Sequence, residues 1–138
     1  MDQLLLILGG VLVSLAFIAL VRWLYPQHEL TLYGIALIPT AAAYIFFALI
    51  NGAFSSLPRE FVGVLLYGGL GLGGAWRFPV LIAFGWATHV AWDLAMTGES
   101  MASYVPAWWP ALCVGTDLFL AGYITAIIWK RSDRRIGK

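Results

Sequence analysis

The sequence predicts an all-α, polytopic membrane protein: one domain, residues 1–138, folded as a bundle of five transmembrane helices. Three observations predict it. Hydrophobic residues make up 62% of the chain and charged residues only 11%, less than half of the about 25% usual in soluble domains. The mean hydropathy is +0.86. The apolar residues are gathered into five runs, each close to the ~20 residues that carry a helix across a hydrocarbon core. The runs lack the alternation of barrel strands, and open strands leave backbone polar groups unsatisfied in lipid, so all five are read as helices.

The first run, residues 3–24, has no basic residues before it and is too long for a typical signal peptide, which makes it a retained span. Tyr25-Pro26-Gln27-His28-Glu29 separates it from the second, residues 31–50. Asn51-Gly52 ends that helix, and the stretch 55–58 opens the third, residues 57–75, with a serine cap and an early proline. A tight break at Trp76-Arg77, before Pro79, leads into the fourth, residues 78–96. The longest loop, 97–107, carries Glu99, Tyr104 and Pro106 and precedes the fifth helix, residues 108–129. A basic tail, 130–138, follows.

Five spans place the termini on opposite sides. Arg22, Arg77, Lys130, Arg131, Arg134, Arg135 and Lys138 then share one side, with Arg59 alone on the other. Basic residues stay in the cytoplasm, so the C-terminus is cytoplasmic and the N-terminus outside, as in a multi-pass protein of a bacterial inner membrane. Trp23, Trp76, Trp108, Trp109 and Trp129 suit the interfacial belt. The net charge of +1 and the lack of a basic face outside the tail say nothing in favour of a nucleic-acid partner, and none is expected; the tail itself suits anionic lipid. His28 and Glu29 are expected to be solvated in a cytoplasmic loop. Cys113 is the only cysteine, so there is no intrachain disulfide and no cysteine zinc framework.

Two aspartates interrupt the apolar runs. Asp93 follows His89 by four residues, and Asp117 follows Cys113 by four, so each pair lies on one helix face. Counting 1.5 Å per residue from the inner ends puts His89 about 17 Å, Asp117 about 20 Å, Asp93 about 23 Å and Cys113 about 26 Å into the membrane, with Tyr44 near 20 Å. Thr40 lies one turn below Tyr44. Ionisable groups at such depth are costly and are usually paired or functional.

Three chemistries need this group. His89, Asp93 and Asp117 have the donor types for a divalent metal. His89 with a carboxylate forms an acid/base pair, burial moving both toward neutral titration. The same groups could instead carry protons or bind a cation. Equally, Asp93 could be neutralised by His89 or by Trp and Tyr donors, pinning two helices together. No serine is positioned with His89 in a nucleophile motif.

The run Gly69-Leu70-Gly71-Leu72-Gly73-Gly74 satisfies G-x-G-x-x-G, but no strand precedes it, so it is read as close packing by a Gly69/Gly73 pair, with Gly63, Gly68 and Gly74 adding room. Glu60 beside Arg59 reads as a first-turn residue favourable to the helix dipole, or as the lining of an outer mouth.

Gly85-Trp86, His89, Trp92-Asp93, Pro106, Trp108, Pro110, Cys113, Asp117, Ala121 and Tyr123 keep an order and spacing that resembles a family of small bacterial integral-membrane proteins, a domain of unknown function. The likeness lies in the stretch from the third helix onward and covers about a third of the chain. That family often continues after Trp-Asp with a His-His pair, where this chain has Met96 and Thr97, which weakens the metal reading. The resemblance implies membrane topology and a role for the cluster, and brings no activity. The His/acid spacing and helix count are also similar to sterol-isomerase-type five-helix membrane proteins, an analogy for acid/base work on a lipid-like substrate.

The sequence therefore points to an intramembrane pocket between the fourth and fifth helices that binds a small or lipidic ligand or a cation. His89, Asp93 and Asp117 form its core, and Tyr44, Trp86, Trp92 and Cys113 line it. An enzyme using His89 and Asp93 as acid and base, with or without a divalent metal, is the alternative. A structural subunit of a larger membrane complex, or a homo-oligomer, is the other.

Overall fold

The apolar stretches satisfy their backbone hydrogen bonds along the chain, forming five α-helices among the described residues. In the computed structural model these are α1 (Gln3–Leu24), α2 (Glu29–Ile50), α3 (Leu57–Trp76), α4 (Val80–Ala95) and α5 (Trp109–Ile136), with no strand among the described residues. The structure describes residues 2–96 and 103–136, with side chains as far as 133. Thr97, Glu99 and Lys138, and with them the expectations placed on residues 97–102 of the outer loop and on the end of the tail, lie outside the described residues.

Three stretches, Gln3–Leu24, Pro26–Ile50 and Trp109–Asp133, are helices long and apolar enough to cross a membrane. Asp2 caps α1, its Oδ1 accepting from the Leu4 N–H at 3.1 Å. A 3₁₀ turn, Pro26–His28, leads directly into α2, so that helix begins at Glu29 rather than at residue 31. Glu29 is not solvated as expected: its side chain is 13% exposed and accepts from Arg131 at 2.6 Å. The expected serine cap of α3 is absent too. Ser56 makes no side-chain cap bond, because the 3₁₀ turn Phe54–Ser56 already gives it helical backbone angles. α5 outruns its expected end at 129 and carries the helix into the basic tail, where Arg131 finds Glu29.

The most extensive packing is of α2 on α3 and of α5 on α1 and α4; α3 also meets α4, and α1 barely touches α2. Small residues make these crossings close. At the α1/α5 crossing a Cβ on Gly10 would run into the Leu112 carbonyl, and one on Gly115 into the Ile7 carbonyl. Ser14 Oγ donates to the Thr116 carbonyl at 3.1 Å, and Thr116 Oγ1 to the Gly10 carbonyl at 3.2 Å. Gly34 and Gly71 do the same for α2 and α3, each facing the other's carbonyl. The expected Gly69/Gly73 pair is not the packing pair. Gly69 meets nothing within 4 Å and lies exposed, whereas Gly71 and Gly74 lie on the buried face. A helix turns 100° per residue, so a shift of two positions changes the face entirely.

Candidate functional site

The interior face of α4 carries Trp86, His89 and Asp93, all buried, because positions spaced three and four apart line one side of a helix. α5 supplies Asp117 from the opposite wall, α2 supplies Tyr44 and α3 supplies Tyr67. His89, Asp93 and Asp117 have no exposed surface. His89 Nδ1 lies 2.8 Å from Asp117 Oδ2, a hydrogen bond, and 3.4 Å from Asp93 Oδ2. The second distance is an electrostatic contact rather than a good hydrogen bond. Tyr44 donates its hydroxyl to Asp93 Oδ1 at 2.5 Å. The Tyr67 ring meets the imidazole in a T at 4.5 Å, and its hydroxyl is turned away to the Thr88 carbonyl at 3.2 Å.

The cluster is incompletely satisfied. Among the described residues, His89 Nε2, Asp93 Oδ2 and Asp117 Oδ1 have no hydrogen-bond partner although all are buried. Such groups cost roughly 1–3 kcal/mol each when unpaired, more when charged, so a pure packing role is an expensive use of them.

A groove of about 340 Å³ lies beside the cluster, between α1, α2 and α5. Val13, Phe17, Ala36, Pro39, Thr40 and Leu120 form its walls, and Trp86, Trp109, Cys113 and Asp117 also line it. Val13 and Pro39 are exposed at mid-helix positions, so the groove faces the flank of the bundle. The gap exists because α1 leans on α5 and leaves α2 nearly untouched. Thr40 spends its hydroxyl on the Ala36 carbonyl at 2.8 Å. Trp109 Nε1 is buried without a partner among the described residues.

The sequence-predicted residues thus divide. His89, Asp93, Asp117 and Tyr44 come together, with Tyr44 a member of the hydrogen-bonded cluster rather than a wall. Trp86 and Cys113 line the groove, and Trp86 Nε1 is anchored to the Tyr33 carbonyl at 3.0 Å. Cys113 is not among the side chains whose ligand atoms converge. Trp92 stands on the other side of α4, against Tyr67 and over Gly63, away from the groove. Sequence reasoning missed Tyr67 and the groove-lining role of Trp109. A tyrosine in the middle of an apolar, glycine-rich helix was the available signal for Tyr67.

A second polar group closes the opposite end of α3. Glu60 is 1% exposed, so neither a solvated first-turn residue nor an open mouth describes it. Its Oε1 accepts from Arg59 Nε at 2.9 Å and from the Tyr104 hydroxyl at 2.6 Å. Arg59 also donates to Tyr104 at 2.7 Å, and Asn51 donates to the Tyr104 carbonyl at 3.0 Å. Burial, then the bond to Glu60, raises the Tyr104 phenol above its ordinary value. This network straps the segment before α5 onto the ends of α2 and α3.

No family profile, curated protein or solved structure matches the chain. The functional reading rests on the geometry above.

Proposed function

We propose that the protein is a five-span integral membrane protein that binds a lipid-soluble ligand carrying a hydrogen-bond donor, with Asp117 as the acceptor at the bottom of the groove. The five-span reading, N-terminus outside and C-terminus cytoplasmic, is supported by the side chains at the two ends. Arg22 reaches Tyr123 at 3.5 Å and Arg131 pairs with Glu29 at one end, while Arg59, Glu60 and Tyr104 gather at the other. α4, with 16 residues, covers only ~24 Å of a ~30 Å core. Its ends are completed by Phe78 and Met96, and α2, α3 and α5 surround it.

The observation that carries the ligand reading is that Asp117 belongs to both structures. It holds His89 with Oδ2, lines the groove, and has Oδ1 unpartnered among the described residues. Oδ1 has no exposed surface of its own, so a ligand hydroxyl or amine satisfies it once the side chains between it and the groove rotate aside. At about 340 Å³ the groove is at the small end of ligand sites, which fits a single chain or a compact ring system rather than a two-chain lipid. The ligand enters from the bilayer, the partner on which Val13 and Pro39 open. Acid/base chemistry by His89 is the less supported reading, because the groove meets Asp117 and not His89.

Closing the groove tests this. Ala36→Trp places an indole where the ligand would lie. Native mass spectrometry of protein released from membranes should show a bound lipid-soluble molecule on the wild type and lose it in Ala36→Trp. An identical ligand load on both proteins would refute the groove as the site.

A further inference from the structure

Three donor atoms of the cluster converge on one gap in a way that a single proton does not satisfy. His89 Nδ1 stands 2.8 Å from Asp117 Oδ2 and 3.4 Å from Asp93 Oδ2, and one ligand atom from each residue lies within 4.8 Å of the others. Nδ1 carries at most one proton, and that proton serves Asp117. Asp93 Oδ2 is then left with no hydrogen bond among the described residues, although its side chain is fully buried. Two carboxylates therefore face one imidazole edge with one donor between them.

We propose that this gap is a binding site for one divalent first-row transition-metal ion, held by His89 Nδ1, Asp93 Oδ2 and Asp117 Oδ2. The proposal rests on reading the cluster as a functional site, but not on what occupies the groove. Metal–nitrogen and metal–oxygen bonds are about 2.0–2.2 Å, so two ligands at right angles lie about 2.9 Å apart and two at the tetrahedral angle about 3.4 Å. The two distances from Nδ1 match these edges. The largest separation such bonds allow is about 4.0–4.4 Å, and the three ligand atoms already lie within 4.8 Å of one another, so small rotations of the carboxylates suffice to close the site. Two carboxylate charges and a divalent cation make a neutral unit, the form in which charge is least costly to bury.

The rest of the site is arranged as a metal centre needs. Tyr44 fixes Asp93 through its other oxygen, Oδ1, at 2.5 Å, leaving Oδ2 free to bind. One imidazole and two carboxylates suit Zn²⁺, Mn²⁺ or Fe²⁺. Cys113 is outside the converging set, so a thiolate-preferring ion such as Cu⁺ is not favoured. Three protein ligands leave a coordination position open for water or for a donor atom of a groove ligand, since Asp117 is common to both.

The test is metal content. Wild-type protein purified in detergent, stripped with chelator, is loaded separately with Zn²⁺, Mn²⁺ and Co²⁺, desalted, and analysed by plasma mass spectrometry. One ion per chain is expected for at least one metal, with Co²⁺ giving visible ligand-field bands. Occupancy should fall at least tenfold in His89→Gln and in Asp117→Asn, and persist in Cys113→Ala. Circular dichroism and a monodisperse elution profile establish that each variant is folded; if one is not, Asp93→Asn serves in its place. Less than one-tenth of an ion per chain on folded wild type with all three metals would overturn the proposal, as would full retention in the ligand variants. Ligand loading is measured on the same metal-free protein, so loss of metal binding with intact groove binding rejects the metal site alone.

Discussion

Removing the Tyr44 hydroxyl should expose how strongly the cluster ties α2 to α4. Tyr44 is fully buried and donates at 2.5 Å to Asp93 Oδ1. Among the described residues the other Asp93 oxygen has only the contact with His89 Nδ1 at 3.4 Å. Hydrogen bonds to charged acceptors contribute about 1.5–3 kcal/mol in soluble proteins. Polar pairs between membrane helices average about 0.6 and reach about 1.7 kcal/mol. A short bond to a carboxyl group with no second donor belongs at the upper end of the membrane range. We therefore expect Tyr44→Phe and Asp93→Val, each of which removes one partner of the bond, to couple by about 1.5 kcal/mol, roughly tenfold in the unfolding equilibrium. The assay is reversible unfolding in mixed micelles of the two single variants and the double variant. Each removes a hydrogen-bonding or charged group without changing helix packing volume much. Additivity within about 0.3 kcal/mol would mean the two groups do not interact, and the geometry of the cluster would then be wrong.

Glycine substitutions separate the real crossings from the apparent one. Gly10→Ala and Gly71→Ala should destabilise the protein by about 3 kcal/mol or more in the same assay, since the new methyl meets backbone that cannot move aside. Gly69→Ala should change stability by less than about 1 kcal/mol, because nothing stands within 4 Å. Ser14→Ala removes one α1/α5 hydrogen bond and should cost about 0.6 kcal/mol. The Tyr104 strap gives a pH dependence. Its folded phenol is raised above its unfolded value near 10, so the folded state holds the proton more tightly. The stabilisation is complete below about pH 10 and is lost as pH rises through the folded value. Alkaline unfolding curves of wild type and Tyr104→Phe should therefore converge above pH 10; a constant offset across that range would contradict the docking of Tyr104 by Glu60 and Arg59.

Helix positions were legible because apolar run length and breakers are local. The end of α1 at Leu24 follows from Tyr25-Pro26, and α3 begins at Leu57 as Pro58 requires. The facts that failed to show in the sequence depend on neighbours. Glu29 reads as a loop residue until α5 extends far enough to bring Arg131 beside it. Glu60 reads as exposed until Tyr104 folds back over it. Spacing also left the face of α3 undecided, and the structure selects Gly71 and Gly74 over Gly69 and Gly73. The meeting of His89, Asp93, Asp117 and Tyr44 was accessible from depth alone, since antiparallel helices with known ends set their residues at comparable levels. Which wall each residue joins was not. Trp92 and Trp86 both lie on α4, six positions apart, and only contacts with α3 and α5 separate their roles.

The central claim is that Asp117 accepts a hydrogen bond from a ligand lying in the groove. The most direct measurement compares binding of a long-chain primary alcohol and its methyl ether to the protein in lipid nanodiscs, by competition read with native mass spectrometry. The two probes differ only in the donor. A hydrogen bond contributes about 1 kcal/mol net, and more to a charged acceptor, so the alcohol should be preferred at least fivefold, and Asp117→Asn should reduce that preference while leaving ether binding unchanged. Equal binding of alcohol and ether to the wild-type protein would contradict the account.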